Sequence, residues 1–149
     1  MTNRKYSVLL ADDSSDDRLF MQRIIERSER LMIVGETCDG QETIEYLKGE
    51  NSYGDRTLHP YPNILILDLK MPRKSGFDVL QWLQGVHEKH LLVFVMSGSQ
   101  LATDVDKSHE LGADGYFKKS SEKNEQLEMV RIIVDMADKY FSSSSRAAA

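Results

Sequence analysis

The stretch Asn63–Leu80, NILILDLKMPRKSGFDVL, runs after its first residue through four consecutive apolar residues, ILIL, and meets a single carboxylate, Asp68, where they end. A half-solvated strand alternates apolar and polar side chains. An unbroken apolar run of this length therefore reads as a strand buried on both faces. VLLA (Val8–Ala11) and LLVFVM (Leu91–Met96) have the same character. Strands covered on both faces belong to a parallel sheet with helices on either side. Two weaker candidates, MIVGETC (Met32–Cys38) and GYFK (Gly115–Lys118), bring the number to five.

Helical spacing fills the gaps between these runs. After Gly76, the residues Phe77, Leu80, Leu83 and Val86 recur every third position, which predicts an amphipathic helix. Ser14, Ser15, Asp16 and Asp17 are capping and first-turn residues ahead of Leu19, Phe20, Ile24 and Ile25. GQETIEYL (Gly40–Leu47) and ATDVDKSHELGA (Ala102–Ala113) read as the second and fourth helices, with Gly112 placed to cap the fourth. The alternation is that of an α/β domain. GENSYGDRTLHPYP (Gly49–Pro62) is a long loop by composition, either a tolerated surface insertion or a partner contact. We expect one domain over 5–141, a disordered low-complexity tail over 142–149, and no effector domain.

Composition narrows the function. With 149 residues and 40% hydrophobic content, the chain supports one core of ordinary size. A net charge of −5 without clustered Lys and Arg argues against nucleic-acid binding. Cys38 is the single cysteine and can form no internal disulfide, and the polar start MTNRKYS has no apolar signal core behind it. The apolar runs are far shorter than the roughly 20 residues that span a bilayer. A cytoplasmic protein without a membrane segment is expected. His87 and His90 lack companion ligands, so no zinc site is expected.

In a doubly wound parallel sheet, ligands bind beyond the carboxyl ends of the strands. Asp12 and Asp13 follow the first strand, Asp68 ends the third, Ser97 follows the fourth and Lys119 the fifth. Any one of them alone reads as a cap or turn former; five at matching positions do not. Clustered carboxylates repel one another unless a proton or cation intervenes, and an all-oxygen set beside a phosphate suits Mg²⁺. Asp68, opposite the acidic pair, can then act as a nucleophile toward phosphorus. Lys119 supplies a mobile positive charge, Ser97 a hydroxyl donor, and Gly98 leaves room for a phosphoryl donor to approach.

LLADDS (Leu9–Ser14), LILDLKMPRKSGFDVL (Leu65–Leu80), VMSGS (Val95–Ser99) and LGADGYFKKS (Leu111–Ser120) together resemble the receiver domains of two-component response regulators, over nearly the whole chain. The resemblance implies a flavodoxin-like sheet in the order 2-1-3-4-5. It implies a phosphoryl group accepted on Asp68 from a phosphohistidine of a sensor histidine kinase. It places the metal on Asp12, Asp13, Asp68 and the backbone carbonyl of Lys70, and the switch on Ser97 and Tyr116, the aromatic turning inward after phosphorylation. Counting from Tyr116 selects Lys119 rather than Lys118 as the site lysine.

Three positions depart from the family's habit. Ser120 stands where a proline usually follows the lysine, and Lys70 and Ser99 occupy the positions that tune hydrolysis, so phosphoryl lifetime is not inherited from any relative. The long loop, the KKS ending and the aromatic-tipped last helix resemble stand-alone regulators paired with phytochrome-type kinases. Output is then expected to pass to a downstream protein target. On the last helix, Met129, Ile133, Met136 and Tyr140 form a second apolar stripe, from which we expect an exposed surface suited to a homodimer or a partner protein. A receiver-like module that is never phosphorylated is the alternative, and the intact set of site residues argues against it. A metal-dependent phosphatase lacks its second carboxylate in DLK, and a flavin carrier lacks its phosphate loop.

Overall fold

The apolar runs become the strands β1 (Tyr6–Ala11), β2 (Leu31–Thr37), β3 (Ile64–Leu67), β4 (Leu92–Ser97) and β5 (Gly115–Lys118), all parallel, in the order β2-β1-β3-β4-β5. The computed structural model describes residues 4–86, 90–98 and 101–148, with side chains as far as Ser142. His87, Ser99 and most of the expected tail therefore lie outside the described side chains. Between and after the strands run α1 (Ser15–Glu26), α2 (Gly40–Lys48), α3 (Gly76–Gln84), α4 (Ala102–Glu110) and α5 (Lys123–Ala148).

All four residues of ILIL are buried, and the alternation missing from their polarity reappears in which core they enter. Ile64 and Ile66 face a layer shared with α1 and α5, beside Val8, Leu10, Met21, Ile25 and Phe94. Leu65 and Leu67 face the α2 and α3 layer, beside Leu9, Tyr46, Val79 and Leu80. Two cores on opposite faces of one sheet are what a doubly wound chain produces, and β1 lies where the strand order reverses.

The ends of the helices follow their local chemistry. Ser14 Oγ accepts from the Asp17 amide at the start of α1, and Ser75 and Asp78 form a reciprocal capping box at the start of α3. Gly112, just past α4, has φ +98°, a left-handed conformation that ordinary residues seldom adopt. α4 itself is shallowly seated, with Ser108 its one fully buried residue.

The long loop is ordered rather than loose. Arg56 donates to the last-turn carbonyls of Tyr46 (2.8 Å) and Leu47 (2.8 Å) of α2 and to that of His59 (3.1 Å). Around it, Tyr46 packs against Tyr53 and His59, and Tyr53 donates to Glu42 at 2.8 Å. One guanidinium thus satisfies the Leu47 carbonyl at the helix end and joins the Gly49 amide, 3.1 Å away, as a donor to the Tyr46 carbonyl. Arg56→Ala is expected to cost about 2 kcal/mol in urea denaturation, the scale of charged hydrogen bonds lost from a partly buried site. A change below about 0.5 kcal/mol, the usual range for surface substitutions, would show that the loop does not brace α2.

The last helix corrects one expectation. Met129 and Ile133 are 5% and 1% exposed and lie in the α1/α5 core, while Met136 and Tyr140 are half-buried against it. They face inward because Val134, Ala137 and Phe141 flank them on the sheet side, and α1 covers part of the same layer. The four therefore do not form an exposed patch. Among the described residues of the helix, Leu127, at 54%, is the exposed large apolar one. Tyr6 donates to Asp138 at 2.6 Å and stacks on Phe141 at 5.5 Å, tying α5 to β1. No helix among the described residues is long and apolar enough to cross a membrane.

Candidate functional site

At the carboxyl edge of the sheet, three chain segments are pinned by backbone hydrogen bonds before any side chain is considered. The Asp12 amide donates to Thr37 O (3.0 Å), that of Asp68 to Ala11 O (2.9 Å), and that of Lys119 to Ser97 O (2.9 Å). Each site residue thus extends a strand ladder by one step, which gives the side chains a rigid base. Asp12 is further oriented by the Ser14 amide at 2.9 Å.

One carboxylate oxygen each from Asp12, Asp13 and Asp68 lies within 4.8 Å of the others. Asp12 and Asp68 are buried and Asp13 is exposed, so the cluster opens to solvent on one side. Lys119 Nζ reaches across to Asp12 Oδ2 at 3.0 Å and Asp68 Oδ2 at 3.5 Å. Lys118 is exposed, as the count from Tyr116 expects. All peptide bonds among the described residues are trans, including the one joining Lys119 to Ser120.

Electrostatics follow from that geometry. Burial pushes the Asp68 carboxyl up from 3.8 to about 6; Lys119 and the Lys70 backbone amide pull it down, and Asp12 and Asp13 add to the rise. Burial pulls the Lys119 ammonium down, but hydrogen bonds to Asp17 and Asp12 override it and hold the group above its ordinary value. The cluster is short of positive charge, and its donors are all oxygen, which fits a hard divalent cation.

The remaining expected residues divide. Ser97 is buried at the end of β4, and a Cβ added at Gly98 would meet nothing within 4 Å among the described residues. Tyr116 is half-buried on β5 against the α2/α3 core. Lys70 is exposed in the β3–α3 loop, where its amide is directed at Asp68. Met129, Ile133, Met136 and Tyr140 belong to the α5 packing described above, and Met129 also lines the cavity beside Asp17 and Lys119.

One contributor escaped the sequence reading. Asp17, expected only as a first-turn residue, accepts from Lys119 Nζ at 2.7 Å. Its neighbour Asp16 offers the same helix-start chemistry, and nothing local in the sequence separates the two.

Comparison with known proteins agrees with this geometry. A family model described as the response regulator receiver domain matches residues 8–131. Response regulator Rcp1 of Synechocystis sp. is 30% identical over 128 residues, covering 83% of each chain. The chain spans about half the length of other curated relatives it matches. Among solved structures, the response regulator RPA3017 in red light signalling of R. palustris aligns with TM-score 0.73 and 30% identity, covering 86% of this chain and 90% of that one. The phosphorylated cyanobacterial phytochrome response regulator RcpA aligns with TM-score 0.73 and 25% identity, covering 93% and 96%. A Mn²⁺-bound form of Rcp1 aligns with TM-score 0.69 and 30% identity, covering 86% and 91%.

Proposed function

The chain belongs to the response regulator receiver domain family, and from that premise we propose that it is a phosphoryl-accepting switch whose acceptor is Asp68. Receiver domains bind a divalent metal and interact with histidine kinases. In this reading the metal is Mg²⁺, which Asp12, Asp13, Asp68 and the Lys70 backbone carbonyl would hold, and the donor is a phosphohistidine of a sensor kinase of the phytochrome type. The observation that carries the reading is the convergence of three carboxylates within 4.8 Å, with Lys119 Nζ 3.5 Å from Asp68.

An ionised Asp68 oxygen attacks phosphorus as the P–N bond to the kinase imidazole breaks, and that bond's electron pair stays on the imidazole nitrogen. With its carboxyl near 6, Asp68 is mostly ionised at neutral pH. A divalent ion held by Asp12, Asp13 and Asp68 would supply the positive charge that offsets carboxylate repulsion and the charge of the transferring group. Lys119 moves its ammonium toward the new phosphoryl oxygens, and the Ser97 hydroxyl donates to one of them. Those two movements, with Tyr116 turning inward, alter the face made by α4, β5 and α5 for a downstream protein target. The shallow seat of α4 favours this route, since an element with one buried residue rearranges at small cost. The receiver unit occupies 5–141 and works in the cytoplasm.

Phosphotransfer from a radiolabelled histidine kinase tests the reading. Label is expected to pass from the kinase to this chain with Mg²⁺ present and to stop when the metal is chelated. Transfer that persists in chelator would exclude the metal-dependent mechanism.

A further inference from the structure

Lys119 has three N–H donors and meets three carboxylates among the described residues: Asp17 at 2.7 Å, Asp12 at 3.0 Å and Asp68 at 3.5 Å. The shortest of these contacts is to the residue outside the metal cluster. Asp17 stands on the first turn of α1, its amide held by Ser14 Oγ at 3.2 Å, so its carboxylate rides on a capped helix start. Lysine, by contrast, carries its charge on a flexible four-carbon stem. Phosphoryl oxygens on Asp68 would compete with Asp17 for this ammonium, whose contact with Asp68 is the longest of the three at 3.5 Å.

We propose that Asp17 is a positioning residue that retains the Lys119 ammonium in the unphosphorylated state and thereby weakens the site's hold on a phosphoryl group. The inference rests on Asp68 being the phosphoryl acceptor. Asp17 does not touch the reacting atoms and acts only through the lysine. Its carboxylate is 43% exposed, so the restraint is screened and modest. It sets how readily the switch is thrown and how long it stays thrown, without deciding whether it works. Asp16 carries the same charge in the same turn and is not among the lysine's partners, which makes it the natural control.

The test is titration with beryllofluoride, a phosphoryl mimic, at saturating Mg²⁺, followed by fluorine NMR on the full chain. D17N is expected to bind the mimic about fivefold more tightly than wild type, the scale of one partly exposed ion pair. D17E, which restores the charge, and D16N, which removes an equal charge without touching Lys119, are both expected within about twofold of wild type. Unchanged or weaker binding in D17N overturns the proposal, as does an equal gain in D16N, which would mark a general charge effect. A wild-type chain that takes up no mimic overturns this proposal together with the acceptor role of Asp68. Normal wild-type binding with an unmoved D17N overturns this one alone.

Discussion

Gly76→Ala is expected to destabilise the protein by about 2 kcal/mol, although alanine is the better helix former by about 1 kcal/mol. Gly76 opens α3, and a Cβ built there would lie 2.4 Å from Asp68 O and 2.8 Å from Leu69 Cα. Both are backbone atoms, so no side-chain rotation relieves the contact, and overpacking of this kind costs about 1–3 kcal/mol or more. The Gly76 amide also donates to Leu69 O at 2.9 Å, which holds the helix start against the acceptor segment. Relief therefore has to come from moving Asp68, and phosphoryl uptake should slow alongside the loss of stability. Gly85 supplies the contrast: among the described residues a Cβ there would meet only Trp82 O at 3.5 Å, an ordinary contact. Urea denaturation of the two alanine variants checks the argument. Equal stability of G76A and G85A would show that α3 does not press on the acceptor backbone.

Asp68→Asn is expected to stabilise the metal-free protein at pH 7–8 by about 2–3 kcal/mol, from a shift of roughly two pKa units at 1.36 kcal/mol each. The buried Asp68 carboxyl titrates near 6, above its ordinary 3.8, because burial and its acidic neighbours disfavour the charged form. The folded state consequently holds that proton more tightly than the unfolded state does. Stability from the protonated form is fully present below about pH 4 and is lost as pH rises through about 6. Asparagine mimics the neutral form at every pH, so the advantage of the variant should grow from near zero at pH 4 to its full size above pH 7. Mg²⁺ should reverse the ranking by stabilising the wild type far more than the variant. Thermal melts in chelator across this range measure it, and a variant less stable than wild type at pH 7.5 in chelator would contradict the electrostatic account.

Much of this architecture is legible in the sequence because burial on both faces leaves a strong mark. ILIL and LLVFVM have no polar alternation, and the polar residues that follow them stand at the one sheet edge where the topology gathers ligands. Local capping chemistry is equally readable at Ser14 and Gly112. What the sequence hides depends on distance in space. The Arg56 contacts to α2 join residues nine and ten positions apart through a loop whose composition alone reads as irregular. On α5, a helical wheel gives the apolar sectors but not which of them meets the sheet, and Met129 and Ile133, expected on an exposed stripe, pack inward. Asp17 is the sharpest case: its partner Lys119 is 102 residues away, and only the fold brings them together.

The central claim is that Asp68 is the acceptor of a metal-dependent phosphoryl transfer. Intact-mass measurement after incubation with acetyl phosphate and Mg²⁺ tests it most directly. The account predicts one added phosphoryl group on the wild-type chain, none on Asp68→Asn, and none on the wild type in chelator. An adduct of the same mass on Asp68→Asn, or no adduct on the wild type with acetyl phosphate and a set of phosphorylated kinases alike, would contradict it.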